Sequence, residues 1–397
     1  MGNIALVCVL SLTLLAFART QGFSTRTFSV LWLGLISKIC FCGLAAYFFL
    51  AQLIYKDADR YYSEIIGIAQ DPTCWNAFFA RGPWAYEVSN KMGMSYLYGA
   101  TAYLFGASPL LSVFALNIFL STMTAILGVL LAREFCGHRR YDAWVLLALS
   151  FHPEIFFWSN RVLRENLSIF LVTATVYLCT RLFKKDFLSA GLGLAACLAM
   201  TYLTRAQLTL IFPLFCIATL AVMSLQNFGK HLRAFGMLAL VLSLLLVNQE
   251  FLSWGIRSLR ILPAEIANFL ALSPEQILHE CFRLIDVLPR VLSFAPAAFG
   301  RMGVFLIPFS AIMFCGALLS VLHQIFGARL NFRYSNAILI TALVFYLGLA
   351  VMDLYTDVPF GVRFRTPLTP LLLTIAVPSV LLLIEDLRST LVSKNPA

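Results

Sequence analysis

Tyr55–Gln70 reads Y-K-D-A-D-R-Y-Y-S-E-I-I-G-I-A-Q, and it follows at once after an apolar run that ends near Ile54. An apolar segment of hydrocarbon length that delivers carboxylates straight to the membrane surface is costly unless those groups have work to do there. The stretch therefore reads as the start of a functional outer loop, with the rest of the chain built around it. Of the 397 residues, 60% are hydrophobic and 12% are charged, about half the charged fraction of a soluble domain. The expected fold is all-α and polytopic in the membrane. Polar linkers and long charge runs are absent, so one embedded domain over 1–397 is expected, with no separate soluble domain.

Runs of about twenty apolar residues cross a bilayer. They fall near 2–18, 29–54, 109–132, 143–158, 166–182, 187–203, 206–225, 234–248, 304–325, 336–354 and 367–384. That gives about eleven spans, or ten if the first is a cleaved signal peptide ending at Ala16-Phe17-Ala18; no positive charge precedes it. Successive loops alternate sides. Loops 19–28, 133–142, 183–186, 226–233 and 326–335, the tail after Ile384, and Arg181 carry 14 Lys/Arg against 5 Asp/Glu; the opposite loops and span ends carry 14 of each. The positive-inside rule makes the first set cytoplasmic and the acidic loop extracytoplasmic. Lys38, inside the second span, is expected to snorkel toward the headgroups.

Outer loop 55–108 is the expected catalytic loop. Its last part, Met92–Phe105, is too short to span and reads as an interfacial or re-entrant helix. Outer loop 249–303 contains Ser273-Pro274-Glu275-Gln276, a helix start with Ser as N-cap and Pro at the first helical position. Apolar residues then recur at helical spacing as in an amphipathic surface helix. The outer regions hold twelve arginines and two lysines. Arg161, Arg164, Arg205, Arg363 and Arg365 sit at or near outer span ends, the depth of a lipid phosphate, and the guanidinium fork suits phosphate. Pairing with Glu165 and Asp357, or with ordinary lipid headgroups, is the simpler account for any one of them.

If Asp57–Ala69 is helical, Asp57, Arg60, Tyr61 and Glu64 share one face and Asp59 and Ser63 another. An outer carboxylate beside an apolar surface serves as a general base for a hydroxyl; equally, Asp57 and Asp59 cap the helix and complement its dipole. A divalent cation at Asp57/Asp59 is not favoured, because nucleotide-activated donors are not supplied on that side, and no cofactor is expected. No Cys/His spacing suits zinc. Cys74 and Cys281 lie in two polar loops and are either a disulfide pair or two thiols.

The D-x-x-x-Y stretch from Asp57 to Tyr61 resembles the first outer loop of the GT-C membrane glycosyltransferases, in the protein O-mannosyltransferase and aminoarabinose-transferase type of branch. Further similar pieces follow in order: Y-L-Y-G-A-T-A-Y-L-F-G-A-S-P-L at 96–110 with Asn117, H-P-E-I-F-F-W-S-N-R-V-L-R-E-N-L at 152–167, and G-V-R-F-R-T-P-L-T-P at 361–370. The resemblance covers roughly residues 29–385. It departs where an Asp-Glu pair is usual, since Asp57 is followed by Ala58 and then Asp59. The segment 2–18 is extra, and a C-terminal soluble domain is missing.

The resemblance implies inverting transfer of a sugar from a polyprenyl-phosphate donor to a glycan, lipid or protein acceptor, at the outer face of a bacterial inner membrane. Asp57 would be the base with Glu64 or Glu165 in support, and Arg161, Arg164, Arg363 and Arg365 would hold the phosphate. Tyr61, Trp84 and Trp158 would contact sugar or acceptor, although aromatics at this depth also serve as membrane anchors. Membrane lipids are the other partners, and nucleic acid is not one. Competing readings are an O-antigen-type polysaccharide polymerase or ligase, which would depend on loop 249–303, and a lipid-linked sugar flippase or transporter. The latter calls for internal repeats and Gly/Pro-broken spans.

Overall fold

The computed structural model describes residues 2–53, 57–71, 86–137, 139–159, 161–184, 187–205, 208–209, 211–224, 273, 275–276, 279, 316, 336–345 and 366–394. These residues are overwhelmingly helical, with no strand among them. In chain order the helices are α1 (Gly2–Thr20), α2 (Thr25–Leu53), α3 (Asp57–Gln70), α4 (Tyr86–Phe105), α5 (Pro109–Cys136), α6 (Asp142–Phe151), α7 (Pro153–Trp158), α8 (Glu165–Phe183), α9 (Phe187–Arg205) and α10 (Ile211–Ser224). α11 (Asn336–Phe345) and α12 (Thr369–Lys394) complete the set. Six helices among the described residues are long and apolar enough to cross a membrane: α1, α2, α5, α8, α9 and the helix ending the chain. The chain is thus an all-α membrane protein. The expected spans at 234–248 and 304–325 lie outside the described residues, apart from residue 316.

α5 shows why such sequences form bounded helices. Ser108 caps its start, its Oγ accepting from the Leu111 N–H at 3.3 Å, and Pro109 occupies the first turn. Gly137, at φ 71°, ends it and returns its N–H to the Arg133 carbonyl, a left-handed cap that favours glycine. α5 is the central staff of the bundle, buried through most of its length.

The helices alternate in direction. At one end Asn3 Oδ1 accepts from the Ser108 N–H at 2.8 Å, joining the starts of α1 and α5. At the other, basic end, Arg133 donates to the Gln21 carbonyl (2.7 Å) and holds Asp142 through Nε and Nη2 (3.0 and 2.6 Å). There too Arg140 and Tyr141 both reach Glu385 of α12, at 2.8 and 3.2 Å. α1 is an integral part of this packing, with Leu6, Leu14 and Ala18 buried.

Three expectations change. The span foreseen as one segment over 143–158 is broken into α6 and α7 at His152 (φ −58°, ψ 122°), because a residue before proline is pushed out of the helical region. The helix foreseen over 92–105 begins at Tyr86 and runs for 20 residues. Lys38 does not snorkel: it is 1% exposed and its Nζ donates to Ser121 Oγ of α5 at 2.6 Å. Two details agree. α3 is a helix from Asp57, and Ser273 and Gln276 exchange backbone–side-chain bonds (3.3 and 2.8 Å) in a reciprocal cap.

α3 and α4 approach closely at Gly99, where a Cβ would fall 2.7 Å from Ile68 Cβ. α4 and α9 do so at Gly93, where a Cβ would meet the Leu203 carbonyl oxygen at 2.2 Å. Backbone cannot yield as a flexible side chain can. Gly93→Ala is expected to lower unfolding stability by about 1–3 kcal/mol. Gly67→Ala, on α3 with nothing within 4 Å, is expected to be neutral or to gain about 0.5–1 kcal/mol. Thermal unfolding of the two variants in detergent checks the contrast.

Candidate functional site

The apolar face of α3 is Ala58, Tyr61, Ile65 and Ile68, spaced 3, 4 and 3 as an amphipathic helix requires. Ala58, Tyr61 and Ile65 enter a cluster with Met94 and Tyr98 of α4, Val113, Leu116 and Leu120 of α5, and Trp158, Val162, Leu163 and Leu167 from the α7–α8 turn and α8. The acidic helix from the start of the chain and the W-S-N-R-V-L-R-E segment from its middle are therefore packed in one place.

A buried hydrogen-bond chain fixes that meeting. Tyr98 Oη donates to Asn117 Oδ1 at 2.6 Å, and Asn117 Nδ2 donates to the Arg161 carbonyl at 2.8 Å. Asn166 Nδ2 donates to the Asn117 carbonyl at 2.6 Å. Burial pushes the Tyr98 hydroxyl above its ordinary pKa, so it stays a donor.

Asp57 opens α3, and its side chain lies outside the described residues, as do Trp84, Arg363, Arg365, Cys74 and Cys281. Asp59 is exposed and its carbonyl accepts from Ser63 Oγ. Glu64 accepts from Arg60 Nε (3.0 Å) and from Ser95 Oγ (2.8 Å), which ties α3 to α4. Arg60, 63% exposed, adds little by that surface pair. Tyr61 and Trp158 lie inside the cluster, 8% and 5% exposed; here they join helices. The guanidinium of Arg161 lies 4.5 Å over the Phe157 ring, and Arg164 donates to the Thr204 carbonyl at 3.3 Å. Both are half-buried.

Arg205 and Glu165 are brought together. Arg205 Nη2 lies 3.0 Å from Glu165 Oε1, with both side chains 2% exposed. The pair ties the end of α9 to the start of α8. It realises the simpler account of Arg205, which leaves Arg161 and Arg164 as the half-buried members of the described phosphate candidates.

Sequence reasoning passed over one acid. Glu154, 2% exposed in α7, accepts from Thr366 Oγ1 at 2.5 Å and from Thr369 Oγ1 at 2.8 Å. The broken span is thereby fastened to the start of the last one, at Thr366 within the R-F-R-T-P stretch and Thr369 just after it. The signal available was Pro153, which breaks an apolar run beside His152 and Glu154. Among the described residues no group of three His, Cys, Asp or Glu is placed to hold a metal ion.

No family model matches the sequence, and no curated protein or solved structure is similar to the chain. The site stands on its own geometry.

Removing one partner of a buried ion pair strands the other charge. Arg205→Met alone is expected to cost about 3–5 kcal/mol, and Glu165→Leu/Arg205→Met much less than the sum of the single changes. A double-mutant cycle read by unfolding in detergent measures the coupling.

Proposed function

We propose that the chain is a membrane glycosyltransferase that moves a sugar from a polyprenyl-phosphate donor to an acceptor hydroxyl, on the face of a bacterial inner membrane away from the cytoplasm. The observation that carries this reading is the shared cluster of α3 with the arginine-bearing 158–165 segment. An acid-rich helix and phosphate-suited side chains are then neighbours although about a hundred residues separate them in sequence. A second support is apolar. A cavity of about 420 Å³ opens between α1, α2 and α5, and its lining residues Leu10 and Phe119 also pack against that cluster. It offers room for the hydrocarbon tail of a lipid carrier beside the proposed chemistry.

In this mechanism Asp57, or Asp59 two residues further along the helix, takes the proton of the acceptor hydroxyl as its oxygen attacks the anomeric carbon from the face opposite the phosphate. The bond to the phosphate oxygen breaks with inversion, and polyprenyl phosphate departs as an anion. That anion needs charge stabilisation and no proton. Arg161 and Arg164 supply it, with Arg363 and Arg365 from the stretch before Thr366. Glu64, held by Ser95, positions α3. The Glu165–Arg205 pair holds α8 and α9 in place beneath the arginines.

One observation favours a second reading, a lipid-linked sugar flippase. Such transporters use interrupted spans with polar groups deep in the membrane, and the break at His152 with buried His152 and Glu154 has that form. A polymerase or ligase would instead depend on loop 249–303.

The test gives purified protein a panel of polyprenyl-phosphate sugars with candidate acceptors and follows release of polyprenyl phosphate. Wild type is expected to turn over at least one donor, and Asp57→Asn to lose about 10²–10⁴-fold with its fold intact. Full turnover by Asp57→Asn would remove it as the base and pass the role to Asp59. If no donor turns over and a flipping assay is active and sensitive to Glu154→Gln, the flippase reading replaces the transferase.

A further inference from the structure

A second groove lies at the basic end of the molecule, on the other side of α1 from the cavity just described. It holds about 550 Å³ and is lined by Leu12, Leu15, Ala16 and Arg19 of α1 and by Phe28 and Trp32 of α2. The α1 residues are spaced 3, 1 and 3, one face of a helix. They are turned roughly 155° from the Val7–Leu10–Leu14 face, at about 100° per residue. Leu12 and Trp32 remain 66% and 43% exposed, and α1 is the least covered of the six spans, with 17% of its window buried.

We propose that this groove is the docking site of one anionic glycerophospholipid, with its phosphate on Arg19 and an acyl chain lying along Leu12, Leu15, Phe28 and Trp32. The charge at the mouth selects the lipid. Arg19 ends α1, Arg26 lies over the Trp144 ring at 5.3 Å, and Arg139 Nη1 reaches the Gly22 carbonyl at 3.0 Å. Of these, Arg19 lines the groove while Arg26 and Arg139 stand elsewhere around the α1–α2 turn, and none forms an ion pair with a carboxylate among the described residues. A zwitterionic headgroup would set its own cation against them, whereas an anionic one adds attraction of about 1 kcal/mol per basic residue near the surface.

The dimensions fit as well. From Arg19 to Leu12 is seven residues, about 10 Å of helix, against about 15 Å for half the hydrocarbon core. The groove thus lines most of one chain beneath its headgroup. The helix dipole explains a basic residue at the end of α1, but not an apolar trough directly below it. A second copy of the chain fits less well, because a two-fold contact through this face would set Arg19 against Arg19. In place, the lipid adds a third wall to a helix that the protein itself covers poorly.

The experiment places the full chain in nanodiscs of phosphatidylcholine with and without phosphatidylglycerol. It reads bound lipid by native mass spectrometry and the unfolding midpoint by heating. Wild type is expected to retain phosphatidylglycerol preferentially and to unfold several degrees higher with it. Arg19→Gln should lower that preference about fivefold. Leu15→Trp, which fills the trough and leaves the charge, should lower it as well. Arg388→Gln, an exposed basic residue on α12 at the same end, should leave it unchanged. Equal losses in Arg19→Gln and Arg388→Gln would reduce the effect to diffuse surface charge and overturn the site. So would full retention by Leu15→Trp at unchanged helix content, or a bound second copy in place of lipid.

Discussion

The side-chain amide of Asn117 joins three other stretches of chain at one buried point. Its oxygen accepts from the Tyr98 hydroxyl of α4, its nitrogen donates to the Arg161 carbonyl, and the main-chain carbonyl of Asn117 accepts from Asn166 of α8. In a medium without water each unmet polar group costs several kcal/mol, so these bonds fix one arrangement and penalise its neighbours. Through Tyr98 the amide holds α4, and α4 carries α3 by the close approach at Gly99 and the Glu64–Ser95 bond. Through Arg161 it holds the turn that bears the arginines. The relative placement of α3, α4 and the 158–165 turn is therefore specified by hydrogen bonds; apolar packing alone would tolerate sliding.

The same requirement organises the middle of the bundle. Gly34 packs on Ser150 and Phe41 on Phe156, so Lys38 of α2 lies near the level of the α6–α7 break. Gly128 touches both Leu149 and Thr374, which brings the start of α12 to that level too. Lys38–Ser121 and Glu154–Thr366–Thr369 then form a polar layer in which hydroxyls serve the ionisable groups. Threonine and serine do this at little cost because a hydroxyl both donates and accepts. A proline break without such a layer would leave the kinked span attached by apolar contact alone.

These arrangements were unequally legible in the sequence. Apolar runs disclosed α1, α2, α5, α8, α9 and the last span, because transfer from water is a property of composition. The acidic helix was legible from spacing, since Ala58, Tyr61, Ile65 and Ile68 repeat at helical intervals. The Ser273–Gln276 cap was legible because its partners are three residues apart. The break at His152 was not: a hydropathy window averages over a proline, and Pro153 sits in an otherwise apolar run. Lys38 was misread because burial depends on which neighbouring helix covers it, and Ser121 lies 83 residues away. Of the candidate residues, Glu165 was recognised as a partner for one of the arginines, but that Arg205 is the one it takes follows from how α8 and α9 cross, which no local pattern records.

That last point sorts the arginines. A guanidinium has five donors and a fixed charge, and in this chain its use tracks its depth. Arg205 is fully buried against Glu165, and Arg133 is spent on Asp142 and the Gln21 carbonyl. Both are structural ties whose charge is cancelled in place. Arg161 and Arg164 are half-buried, and the bonds described for Arg164 go to a carbonyl, which takes up donors without cancelling charge. Arg19, Arg26 and Arg139 are exposed; Arg26 lies over the Trp144 ring and Arg139 donates to the Gly22 carbonyl. Positive charge outside the described ion pairs lies beside an apolar groove at the basic end, where Arg19 lines it. A phosphate carried on a hydrocarbon chain is the chemistry that satisfies both halves of such a site at once, since its head needs the guanidinium and its tail needs the trough.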